Sequence, residues 1–63
     1  MSQCAQVYAH MRDIGTITPL TAFRFYGILA LHSRVSELRG RGHKIITRMV
    51  KRNGKRVGQY RLA

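Results

Sequence analysis

The residues able to do chemistry in this 63-residue chain are overwhelmingly cations: twelve Lys and Arg face two acids, Asp13 and Glu37, for a formal net charge of +10. All of the cations except Arg12 and Arg24 lie from Arg34 onward, so the second half carries the field. Four of them, Lys51, Arg52, Lys55 and Arg56, bracket Asn53-Gly54. Cations without counter-charges attract and neutralise polyanions, and phosphates foremost. A merely solvated face mixes both signs, and a membrane-binding helix sets its cations beside a broad apolar face; neither pattern is present. The two acids sit in opposite halves and offer no acid–base pair. Ser, His and Asp occur without a nucleophile motif, and Gly40-Arg41-Gly42 is too short for a phosphate loop and follows a helix pattern instead of opening one. Cys4 is the single cysteine, and His10, His32 and His43 are scattered, so neither a disulfide nor a metal site is expected. The expectation is a protein without catalytic activity or cofactor. No apolar run reaches the 18 or so residues of a membrane span, and the start lacks a signal-peptide core; a cytoplasmic location in a bacterial host is expected.

These cations need a scaffold, and 63 residues make a single domain with a thin stability margin. Residues 2–14 place Cys4, Val7, Tyr8, Met11 and Ile14 at spacings of three and four, one stripe of a helix. Ser2 suits its N-cap and Gly15 its left-handed stop. The opposite side, Gln3, Gln6, His10 and Asp13, reads as solvent-facing. Thr16-Ile17 allows a very short extended segment. Thr18 then caps a second helix whose first position is Pro19, where the missing N–H costs nothing. That helix is expected to run to Tyr26, burying Leu20, Phe23 and part of Tyr26, with Phe25 on the first helix, Arg24 outward and Gly27 as the stop. A third helix, from Leu29 or Ala30 to Arg39 or Gly40, buries Leu31, Val35 and Leu38. Its outward side is Ala30, Ser33, Ser36, Glu37 and Gly40, flanked by His32, Arg34 and Arg39. Small polar residues with arginine alongside suit entry into a major groove. The alternative is an ordinary amphipathic helix in which Arg34 and Glu37 form an i,i+3 pair.

After Gly42 the apolar period changes from 3.6 to 2. Residues 43–52 and 55–62 read as two strands around Asn53-Gly54, the strongest short-range signal for a hairpin with a type I′ turn. A two-residue loop sets Arg52 opposite Lys55, Val50 opposite Val57, Thr47 opposite Tyr60 and Ile45 opposite Leu62. Ile45, Thr47, Met49, Tyr60 and Leu62 are then expected to face the core, leaving Ile46, Val50 and Val57 on the other side. At the tip, Lys51, Arg52, Lys55 and Arg56 set like charges across from one another, which destabilises a lone hairpin. A row of phosphates relieves that repulsion; protection of a sheet edge needs fewer cations.

Helix, short extended segment, helix-turn-helix and hairpin is the order of a winged helix-turn-helix domain. Ile17-Thr18, Leu20, Ala22, Tyr26-Gly27, Leu31, the run Arg34-Val35-Ser36-Glu37-Leu38-Arg39, Gly42-His43, Thr47 and Tyr60-Arg61-Leu62 resemble a family of small helix-turn-helix proteins found mainly in bacteriophages and prophages. The resemblance implies DNA binding, with the helix through Arg34–Leu38 as the recognition element. Thr21 stands where such proteins often place an acid that closes a capping box with Thr18. The fold expected is mainly α with a C-terminal β-hairpin: three helices and a two-stranded wing, divided into a support helix (1–15), a helix-turn-helix (16–42) and a wing (43–63). His32, Ser33, Arg34, Ser36 and Glu37 are the expected recognition residues; Arg39, Arg41, Lys51, Arg52, Lys55 and Arg56 are the expected contacts to the DNA backbone. The function expected is sequence-specific binding of double-stranded DNA by a phage transcriptional regulator or excisionase-like factor. The competing reading is a phage-encoded inhibitor or adaptor that grips a host protein, cued by Phe25, Ile46, Val50 and Val57. Homodimerisation is compatible with either.

Overall fold

The computed structural model describes residues 2–63; Met1, the first position of the expected support segment, lies outside them. Helix α1 spans Gln3–Asp13, strand β1 Thr16–Ile17, helix α2 Pro19–Tyr26, helix α3 Leu31–Gly40, strand β2 Ile45–Arg52 and strand β3 Lys55–Leu62. The three strands form one antiparallel sheet in the order β1-β3-β2, so the wing hairpin gains a short third strand from the Thr16-Ile17 segment.

Local chemistry sets the boundaries. Ser2 Oγ accepts the Ala5 N–H at 3.1 Å and starts α1. Thr18 Oγ1 accepts the Thr21 N–H at 3.2 Å and donates to Thr21 Oγ1 at 3.0 Å, so a hydroxyl pair occupies the place of the acidic capping box. Gly27 ends α2 at φ 67°, where a side chain would be strained. Asn53 and Gly54 have φ 52° and 76°, the double positive φ of a type I′ turn, and they lock the expected register.

The core joins Cys4, Val7 and Met11 of α1 to Ile17, Ala22, Ile28, the α3 seam Leu31–Val35–Leu38, and Ile45. Tyr8, Tyr26, Tyr60 and Leu62 pack at its margin. Five expectations need correction. In α2 the buried side chain is Ala22, while Leu20 and Phe23 are exposed. The small alanine side chain is enclosed in the core cluster, and the bulky residues on the other sides of the helix are left outward. Phe25 is 70% exposed, with its ring 6.0 Å from the His10 ring of α1 between centroids. His10 is buried instead of solvent-facing, because its Nδ1 and the Tyr26 hydroxyl form a 2.8 Å hydrogen bond joining α1 to α2. Ile14 lies past the helix end and is exposed. In the hairpin, Ile45 is buried and Tyr60 and Leu62 half-buried, but Thr47 and Met49 on the same side are exposed, Met49 by 58%. The strands project beyond the helices, so alternation continues where there is no longer a core to cover it.

Cys4 is buried, and its S–H donates to Glu37 Oε2 at 3.1 Å. Burial first, then that hydrogen bond and the nearby carboxylate, push the thiol pKa above its ordinary 9.0. The folded protein thus keeps a proton that the unfolded chain releases, so this stabilisation is intact below pH 9.0 and is lost as pH rises past it. Native protein at pH 8 should resist iodoacetamide until urea unfolds it, and Cys4→Ser should show a smaller alkaline loss of stability in pH-dependent melts. Leu31→Ala should cost about 2–5 kcal/mol. A domain of this size holds roughly 3–9 kcal/mol in total, so the urea midpoint should fall by roughly half.

Candidate nucleic-acid interface

Helix α3 turns 100° per residue, and its buried seam faces α1 and the sheet. Ser36 and Gly40 lie outward and exposed, and Ser33, one turn earlier, is half-buried. The two flanks of this small polar ridge are anchored differently. On one flank Arg34 Nη2 donates to Glu37 Oε1 at 2.8 Å, and Glu37 Oε2 accepts the Cys4 thiol of α1. Arg34 is half-buried, and its Nε–H is buried without a hydrogen-bond partner. On the other flank His32 and Arg39 are exposed. Arg39 Nη2 nevertheless donates to the Ile45 carbonyl and to Thr47 Oγ1, both at 2.8 Å, tying the last turn of α3 to the root of the wing. Arg41 follows as the exposed C-cap residue of α3.

The wing tip is two-sided. Lys51 pairs with Arg56 and Arg52 with Lys55. Alternation along a strand places these pairs on opposite sides of the sheet, so one flat row of phosphates reaches one pair at a time. Arg52 and Asn53 open onto a groove of about 390 Å³ beside the start of α2, whose other walls include Thr16, Thr18, Thr21 and Gln59.

Two ion pairs occur among the described residues, Arg34–Glu37 and an exposed Arg12–Asp13 pair at 2.9 Å. Both acids of the chain are therefore engaged, and the cations of the wing face solvent without a carboxylate partner. No group of three His, Cys, Asp or Glu among the described residues could hold a metal ion. No helix among them is long and apolar enough to cross a membrane.

The sequence-predicted residues thus divide in two. His32, Ser33 and Ser36 lie along one open stretch of α3, and the four tip cations along the wing, whereas Arg34, Glu37 and Arg39 also make contacts within the protein. The brackets formed by Cys4 and by Arg39 were missed from sequence. The i,i+3 spacing of Arg34 and Glu37 signalled their pairing, but nothing local marks Cys4 or Thr47 as a partner, since each lies on a different element.

Comparison with curated proteins found no significant match, and neither did comparison with solved structures. Comparison with protein families matches residues 2–63 to the winged helix-turn-helix domain, nearly the whole chain. Three helices capped by a C-terminal hairpin, in the order and spacing described, agree with that match, and the chain belongs to the winged helix-turn-helix domain family.

Proposed function

We propose that this protein binds double-stranded DNA in a sequence-specific manner, as a phage transcriptional regulator or an excisionase-like architectural factor. The observation that carries the reading is the pairing of a narrow polar ridge on α3 with a wing whose cations have no internal counter-charge. The ridge of Ser33 and Ser36, with His32 beside it, offers short hydrogen-bonding groups to base edges in a major groove. Lys51, Arg52, Lys55 and Arg56 fix position on the backbone and add affinity without sequence information, and Arg41 extends that cationic run. Arg39 sets the angle between the two parts by holding α3 to β2. The phage assignment is supported by the resemblance of residues 17–62 described above.

A protein partner is the second reading. It is favoured by the exposed apolar side chains Leu20, Phe23, Phe25 and Leu29 around α2 and its turn, Leu29 being 85% exposed. The two readings separate in one experiment, a salt-dependent binding isotherm on duplex DNA beside a pull-down from host lysate. Gel shifts on circularly permuted duplexes then separate an architectural factor, which bends its site, from a regulator that leaves it straight.

Replacing all four tip cations by Gln should weaken binding on every duplex. It should also flatten the slope of log affinity against log salt by roughly 2 units, at about 0.9 per phosphate neutralised by the one pair that meets the backbone. Base preference should survive. Lys51→Gln with Arg56→Gln, and Arg52→Gln with Lys55→Gln, should each account for a share of the loss, the larger share marking the side of the wing that meets DNA. An unchanged slope in the quadruple variant, with loss of a captured host protein, would replace the DNA reading by the protein-partner one.

A further inference from the structure

The chain has one carboxylate on its recognition helix, and the structure commits both of its oxygens inside the protein. Glu37 Oε1 accepts from Arg34 Nη2 at 2.8 Å, and Oε2 accepts from the Cys4 thiol at 3.1 Å. The Cys4 sulfur also lies 3.9 Å from the Arg34 carbonyl oxygen, so α1 touches this turn of α3 twice. A carboxylate held at both oxygens is poorly placed to read a base. It does offer Arg34 what a phosphate offers, an anionic oxygen at hydrogen-bonding distance. The seat is imperfect, because the Arg34 Nε–H is buried and unpaired while the guanidinium rests there. An arginine held by a single carboxylate contact, with one donor unsatisfied, is well placed to exchange that carboxylate for another anion.

We propose that Glu37, oriented by Cys4, is an affinity-limiting residue that occupies Arg34 in the free protein as an internal substitute for a phosphate. The inference rests on the duplex-DNA reading. Any duplex must draw Arg34 away from Glu37 and bring its own phosphates past the Glu37 charge. Both costs fall on every sequence alike. A duplex that also makes base contacts with the α3 ridge stays occupied after meeting those costs, so at a fixed protein concentration random duplexes empty first while the ratio of affinities is unchanged. Cys4 acts through Glu37: its thiol holds Oε2 so that Oε1 stays directed at Arg34.

The test compares wild type, Glu37→Gln, Cys4→Ala and Cys4→Ser by fluorescence anisotropy. Two probes are used across a salt series: a random-sequence duplex and a duplex selected from a random pool. Glu37→Gln should bind the random duplex more tightly, by about eightfold at 0.1 M salt for one added phosphate contact, with a slope steeper by about 0.9. Its affinity for the selected duplex should rise by a similar factor, leaving the preference between the two duplexes near that of wild type. Cys4→Ala should shift in the same direction by less, and Cys4→Ser, which keeps a donor, should stay near wild type. A merely structural role would lower the melting temperature without steepening the salt slope. Weaker binding of both duplexes by Glu37→Gln with an unchanged slope overturns the inference. Should Glu37→Gln not fold, the Arg34 Nε–H resonance of the wild type decides: it should move on titration with the random duplex, and a fixed resonance at saturation overturns the proposal. A wild type that binds no duplex in a salt-dependent way removes the DNA reading and this inference together, whereas a wild type that binds while the variants keep its slope removes the inference alone.

Discussion

A small apolar core has to hold together a chain whose charges almost all repel one another. Burial of side chains such as Leu31 and Val35 contributes about 1.5–3 kcal/mol each, and few such side chains are available. The positive charge is therefore kept away from the core. The helices enclose Val7, Met11, Ala22, Leu31, Val35 and Leu38, while the densest cations sit at the far end of a hairpin that projects past them. Distance from the core, together with solvent on both sides of the tip, is what makes the charge tolerable.

The same constraint explains how α3 is held. Its outward ridge is made of serines and glycine and has little to grip with, so position comes from its flanks. Glu37 and Cys4 fasten one flank to α1, and Arg39 fastens the other to Ile45 and Thr47. Two side chains that look from sequence like part of a charged surface are thereby fixed in place. The ridge stays narrow because its supports lie beside it and not on it.

Much of the fold was legible in the sequence because it is specified locally. The stripe through Cys4, Val7 and Met11, the seam Leu31–Val35–Leu38, the caps Ser2 and Thr18, the stop at Gly27 and the Asn53-Gly54 register all follow from spacing and backbone preference, and all are present. The misreadings share a cause. Size favours Leu20 and Phe23 for the core, yet Ala22 is the α2 side chain that is buried. His10 was assigned to solvent by polarity, yet the Tyr26 hydroxyl satisfies it in the interior. Met49 was assigned to the core by alternation, yet no element extends far enough to cover it. Each depends on what stands opposite the residue, and that is set by packing between elements distant in the chain. At the candidate site the cations and serines were visible from composition and spacing, whereas the roles of Cys4 and Arg39 depended on partners that only the folded arrangement supplies.

The short strand β1 has an effect out of proportion to its two residues. By pairing Thr16 with Arg61 and Ile17 with Tyr60 it joins the link between α1 and α2 to the end of β3. This pairing closes a long loop, and the entropy lost in closing it has to be offset by the core packed between the two ends. Fraying at the C-terminus therefore strips β1 of its partner and loosens the entry to α2. Helices and wing are thereby coupled into one cooperative unit, and a cut near Arg61 would be felt at Thr18, on the opposite side of the sequence.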